Sequence, residues 1–223
     1  MESTQSVTVL IAFYSRDGST EALANAIAEG ARSEGAEVVL RRAREVVSRE
    51  IMQRAKGWIE NADRMNAQYP APTPDDAEHA DAIIFGSPTR FGNVASELKA
   101  YVDSLGGLWF QGKLNGKAGS AFTSTQQVHG GNESTVLTMY NFMAHLGLIV
   151  VPLGYADPAM FRGAGSPYGA SAVSGQDNQP PTPDDLEVAR FQGRRVAQIA
   201  RALKAAGMTA PKQDAQQEAP GQQ

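Results

Sequence analysis

The chain has 223 residues, 42% of them hydrophobic, with no cysteine and a formal net charge of −4, values that suit one well-buried domain carrying insertions. That charge provides no basic footprint for nucleic acid, the missing cysteines exclude disulfides and sulfur-ligated metals, and His79, His129 and His145 are too widely spaced for a metal-ligand pattern. No apolar run approaches the roughly 20 residues of a membrane span and residues 1–6 lack a leader pattern, so a cytoplasmic protein without a metal ion is expected.

Residues 1–6 read as a flexible start and 7–207 as one domain. Val7, Val9, Leu10, Ile11, Ala12 and Phe13 make a nearly continuous apolar run, the pattern of a parallel strand buried on both faces. Ser15-Arg16-Asp17-Gly18-Ser19-Thr20 follows and opens a helix to about Ser33. In this turn Ser15, Ser19 and Thr20 supply hydroxyls and Gly18 permits a sharp bend. The N–H groups at the helix start carry partial positive charge. No lysine precedes Lys56 and one glycine stands where a dinucleotide turn needs three, which excludes a nucleoside-triphosphate loop and a dinucleotide fingerprint. One small phosphate fits the turn, and so does plain capping of the helix.

A second strand covers Glu37 to Leu40. The mostly polar stretch 44–66 reads as an insertion, a surface helix or a subunit contact, and Tyr69 to Asp76 as a proline-stiffened connection ending in helix caps. Asp81 to Gly86 is a third buried strand, followed by the turn Ser87-Pro88-Thr89-Arg90-Phe91-Gly92-Asn93 and a helix from Ala95 that Leu105 to Phe110 closes. Ala118 to Thr123 is the fourth strand, Ser124 to Asn132 a loop, and Glu133 to His145 a helix. Leu148 to Gly154 is the fifth strand. The Gly-, Ser- and Pro-rich stretch 155–183 is too long for an idle connection and reads as a second insertion. Asp184 and Asp185 are expected to cap a last helix that Gly207 stops. The polar tail 208–223 is expected to be disordered.

Strands alternating with helices predict an α/β architecture: a flavodoxin-like, doubly wound, five-stranded parallel sheet in the order 2-1-3-4-5 with helices on both faces. The switch point lies between strands one and three, so the loops after strands one, three and four converge on one crevice beyond the strands' carboxyl ends.

Over about Val7 to Leu203 the chain resembles the FMN-dependent NAD(P)H:quinone oxidoreductases of the WrbA type. The resemblance is carried by Ile83-Ile84-Phe85-Gly86-Ser87-Pro88-Thr89-Arg90-Phe91-Gly92-Asn93, Gly106-Gly107-Leu108-Trp109, Ala144-His145, Val151-Pro152-Leu153-Gly154-Tyr155 and Pro167-Tyr168-Gly169-Ala170. It implies two-electron reduction of quinones by hydride transfer from NADH or NADPH through bound FMN, and a homotetramer. Ser15, Arg16, Asp17, Gly18, Ser19 and Thr20 would then hold the FMN phosphate. Pro88, Thr89, Arg90 and Phe91 would border the ring, and Ser124, Thr125, Gln126 and Gly130 would meet its polar edge. His145, as a proton donor and flavin neighbour, and Trp109, against the substrate, would line the pocket above the flavin, often from neighbouring subunits. Positive charge at Arg90 would favour the reduced, anionic cofactor.

The chain also departs from that family. Gln126, Gln127, Val128 and His129 stand where glycines are usual, Asp17 where an aromatic residue is frequent, and Leu146 where a second histidine is. A site made mainly of neutral donors implies moderate FMN affinity. Two rival readings, a flavodoxin-like electron carrier and an interaction protein without turnover, find little in the residues: the weak net charge lacks the acidic docking face of a carrier, and nothing here contacts DNA.

Overall fold

The computed structural model describes residues 6–209, so the expectations for 1–5 and for 210–223 lie outside the described residues. The first half of the chain runs β1 (Thr8–Phe13), α1 (Ser19–Ser33), β2 (Glu37–Arg42), α2 (Arg49–Met52), α3 (Trp58–Gln68), α4 (Pro74–His79) and β3 (Ala82–Pro88). It continues with α5 (Ser96–Ser104), α6 (Gly106–Phe110), β4 (Ala118–Thr125), α7 (Asn132–His145), β5 (Ile149–Val150), a 3-10 turn (Pro158–Phe161), β6 (Ser171–Val173) and α8 (Pro183–Ala205). The strands pair in parallel in the order β2-β1-β3-β4-β5, as the alternation of elements requires, and β6 also joins β4.

Burial follows the two-residue period of the strands. From β1, Val9, Ile11 and Phe13 enter one core with α1 and α8, whereas Leu10 and Ala12, with Tyr14 beyond them, enter the other with α5 and α7. On the first face the helices approach to backbone contact: a Cβ on Gly30 would lie 2.0 Å from the Arg190 carbonyl oxygen, and one on Gly193 2.0 Å from that of Ile27. No side chain fits at either position.

Several boundaries differ from expectation. β3 and β4 run two residues further, to Pro88 and Thr125, because each supports the other: Ser87 faces Thr123 and Pro88 faces Ser124. Leu105 caps α5, but Gly106 to Phe110 makes the separate short helix α6. The cap of α8 is Thr182, whose hydroxyl accepts from the Asp185 N–H while the Asp185 carboxylate accepts from Thr182. Asp184 instead pairs with Arg162 at 3.0 Å.

The largest correction concerns the fifth strand, which has two residues rather than seven. Val151 N–H still reaches the Gly119 carbonyl at 2.7 Å, but Leu153 N–H, next in the ladder, turns to Pro167 at 2.9 Å. The chain then leaves the sheet and returns as β6, beside Thr123 to Thr125. The stretch 155–183 is therefore no appendage, because it supplies the missing upper half of the edge. Between the two halves stands Gln192 of α8, fully buried, which accepts from Ala170 N–H at 3.0 Å and donates to Ser120 Oγ and the Ala121 carbonyl, both at 2.8 Å. One side chain thus satisfies backbone groups that a continuous strand would have paired.

Replacing Gln192 with leucine strands the Ala170 N–H and the Ala121 carbonyl in a dry interior. The expected loss is about 2–4 kcal/mol, measured by urea unfolding, with β6 and the segment before it exchanging amide hydrogens faster than β1.

Candidate functional site

The loops after β1, β3 and β4 open onto a cleft of about 720 Å³, within the roughly 300–1,000 Å³ typical of small-molecule sites. They are bonded to one another. Thr89 N–H donates to the Ser124 carbonyl at 2.9 Å, the Thr20 and Ser124 hydroxyls share a hydrogen bond of 2.8 Å, and the Thr135 hydroxyl of α7 donates to that of Thr89 at 2.8 Å. The segment after β6 joins them, with Ser174 N–H donating to the Thr125 carbonyl at 2.8 Å.

In the turn after β1, Gly18 with φ 105 leads the chain into α1 and its N–H donates to Ser15 Oγ at 3.2 Å. The N–H groups of the first helical turn have no intrahelical acceptor, and Ser15, Ser19 and Thr20 beside them line the cleft. Arg16 Nε is buried without a partner. The cleft lining carries Arg16, Lys56 and Arg90 against the single carboxylate Asp17, in a chain of net charge −4. These are the terms a phosphate monoester requires.

In the turn after β3, Arg90 and Asn93 exchange backbone hydrogen bonds of 2.8 and 3.0 Å around Phe91 and Gly92. Both central residues have positive φ, 55 and 75, a requirement of tight primed turns that glycine and asparagine meet without cost. Phe91 meets it at about 1–3 kcal/mol of strain and holds its ring wholly in solvent. An apolar face is thereby kept at the cleft mouth.

The turn after β1 is braced from behind by Arg42, a fully buried guanidinium at the end of β2. It donates to the Ser15 carbonyl at 2.9 Å, to Asn66 of α3 at 2.6 Å and to Glu45. Burial pushes the Glu45 carboxyl up, but the hydrogen bond and charge of Arg42 outweigh it and hold the group below its ordinary value. The stretch 44–66 is thus a surface element whose inner side packs against the turn, and α2 and α3 share a small core of Met52, Trp58 and Ala62.

Of the residues expected at the site, Ser15, Arg16, Asp17, Ser19, Thr20, Pro88, Thr89, Arg90, Phe91, Ser124, Thr125, Gln126 and Gly130 line the cleft, and Gly18 shapes the turn without lining it. His145 and Trp109 do not line it. His145 ends α7, whose 14 residues carry it about 20 Å from the loop that enters that helix, and Trp109 stands 55% exposed on α6. Gln127, within the loop expected there, also lines the cleft, and Ala55, Lys56, Ser174 and Asn178 line it unforeseen. For Lys56 a signal existed, as the first lysine of the chain in an insertion after a phosphate-type turn. Ser174 and Asn178 lie in a stretch without periodicity. Among the described residues no cluster of three or more His, Asp or Glu is placed to hold a metal ion, and no helix is long and apolar enough to cross a membrane.

Comparison with known proteins agrees with this arrangement. Residues 6–159 match the family described as NADPH-dependent FMN reductase. The NAD(P)H dehydrogenase (quinone) of Geobacter sulfurreducens is 46% identical over 201 residues, covering 87% of this chain and 98% of that protein. A second relative, NAD(P)H dehydrogenase (quinone) 3 of Rhizobium meliloti, is 43% identical, covering 88% of this chain and 93% of its own length. The crystal structure of a flavodoxin, WrbA-like protein from Agrobacterium tumefaciens superposes with a TM-score of 0.61 at 26% identity, over 88% of this chain and 99% of that one.

Removing the brace has a defined cost. Arg42→Met leaves Glu45 buried and uncompensated, and an expected loss of about 3–5 kcal/mol is measurable by urea unfolding. Because the Glu45 carboxyl titrates lower in the folded protein than in the unfolded chain, its contribution is complete above its ordinary value of 4.5 and fades as pH falls through the folded value. The stability gap between the wild-type protein and Glu45→Gln should narrow on acidification and stay flat above neutrality.

Proposed function

The chain belongs to the NADPH-dependent FMN reductase family, as an FMN-dependent NAD(P)H:quinone oxidoreductase of the WrbA type, and from that premise we propose how its residues divide the work. The reading is carried by one observation: a phosphate-type helix start and a solvent-exposed phenyl ring line the same cleft. When bound, FMN accepts two electrons from NADH or NADPH and passes them to a quinone. Ser15, Ser19 and Thr20, with the N–H groups of the turn, hold its phosphate, and Gly18 gives the turn its shape. Pro88, Thr89, Arg90 and Phe91 border the ring. Ser124, Thr125, Gln126 and Gly130 face its polar edge with hydroxyl, amide and backbone groups.

Phe91 presents a flat apolar face on which nicotinamide and quinone rings take turns, which explains why a strained, exposed aromatic is kept there. Arg90 places positive charge where electrons accumulate. No side chain has to act as a nucleophile. Protons come from solvent or from His145, which together with Trp109 reaches the cleft of a neighbouring copy in a homotetramer. The exposure of Trp109 and Phe110, 55% and 66%, supports that assembly, and a nicotinamide donor fits a cytoplasmic setting.

Anaerobic mixing of the FMN-loaded protein with NADH or NADPH should bleach the flavin band at about 1 per second or faster, and benzoquinone should restore it. If neither nucleotide bleaches bound flavin, the oxidoreductase reading fails. Phe91→Gly should raise the KM for quinone while the thermal midpoint holds or rises, since the left-handed strain is relieved. Light scattering with FMN present should give the mass of four chains, and Trp109→Glu should lower it.

A further inference from the structure

We propose that the segment from Arg49 to Gln68 is a second, cationic half of the phosphate site, which selects FMN over uncharged riboflavin by fixing Arg16, adding Lys56 and neutralising Glu21. The inference rests on the FMN reading above and concerns residues in which this chain departs from a turn of neutral donors. Three contacts carry it. The Arg16 guanidinium lies over the Trp58 ring, 4.0 Å from its centroid, and Trp58 is itself buried in the small core with Met52 and Ala62. A planar cation on an indole face keeps its charge while losing its freedom. Arg16 is therefore held beside the turn, with a buried Nε that has no partner in the chain.

Lys56 stands in the loop between α2 and α3 and lines the same cleft. Among the described residues neither Arg16 nor Lys56 is paired with a carboxylate, whereas Arg42, Arg49 and Arg64 around them all are. Arg44 and Arg54 of the stretch 44–66 also lack a carboxylate, but of these four cations only Arg16 and Lys56 line the cleft. Asp17 is the one opposing charge on the lining and is exposed.

The third contact removes a repulsion. Glu21 sits in the first turn of α1, nearly buried, where a bare carboxylate would oppose a phosphate at the same helix start. Arg64 of α3 takes it in a two-pronged pair of 2.8 and 2.6 Å. α3 thereby cancels the carboxylate that follows the turn in the first turn of α1, while the preceding loop adds a positive charge. The segment is itself stiffened by a second such pair, Arg49 with Asp63 at 2.8 and 2.9 Å.

The test is fluorescence titration of the apoprotein with FMN and with riboflavin, at low and at high salt. Arg16→Gln and Lys56→Gln should each weaken FMN binding by about tenfold or more, leave riboflavin binding unchanged and flatten the salt dependence. Trp58→Phe should keep the wild-type ratio of the two affinities, and Trp58→Leu should lower it as Arg16→Gln does. Parallel loss of FMN and riboflavin binding, or no loss of either, would overturn the proposal. So would a change confined to the KM for NADPH relative to NADH, which would assign the cations to the nucleotide's extra phosphate. A wild-type protein that binds neither flavin would overturn the functional reading itself.

Discussion

Parallel strands all end at the same edge of their sheet, and in this protein everything functional depends on that edge. Each crossover must run back along a face before the next strand can start, so only the loops at the carboxyl ends meet. The pairing of β3 with β4 is continuous from Ala82 opposite Ala118 to Pro88 opposite Ser124 and passes directly into the hydrogen bond between Thr89 and Ser124. The cleft floor is thus an extension of the sheet. Its hydroxyl-rich lining is rigid because the same groups that face the cleft also bind one another.

Rigidity at the phosphate end has a different origin. There the turn after β1 has little sheet to lean on, and a buried guanidinium replaces it: Arg42 joins the turn, the end of β2 and α3 in one network. A buried arginine is tolerable only when its charge is balanced and most of its donors are used: Glu45 balances the charge and, with Asn66 and the Ser15 carbonyl, takes both terminal nitrogens, while Nε has no partner. The consequence reaches the chemistry, since the segment that satisfies Arg42 also carries Trp58, Lys56 and Arg64. An acidic protein acquires a cationic cleft by local pairing, not by overall charge.

The edge of the sheet shows the same economy of parts. With β5 cut to two residues, the strand that should flank the cleft is rebuilt from a distant segment, and Gln192 bridges the gap. The return path brings Ser174 and Asn178 to the cleft, so the long stretch after β5 serves the sheet and the site together.

The sequence by itself determined the parallel sheet, its strand order and the three loops that meet at the site. Those features depend on local patterns: unbroken apolar runs such as Val9 to Phe13, turn residues such as Gly18, and hydroxyls at a helix start. The cleft residues Ser15, Thr20, Thr89, Arg90 and Ser124 were legible because topology alone carries them to one edge. Only the tertiary structure decided the rest. Gln192 is buried among partners far along the chain that satisfy it, and Arg42, although Glu45 stands three residues away, also needs Ser15 and Asn66, which no local pattern encodes. Lys56, Ser174 and Asn178 reach the cleft through segments with no periodicity, and His145 and Trp109, though their motifs stand out, are carried away from it by the helices on which they lie. A local pattern specifies how a segment folds, whereas the neighbours it meets depend on charge balance and hydrogen-bond satisfaction across the whole domain.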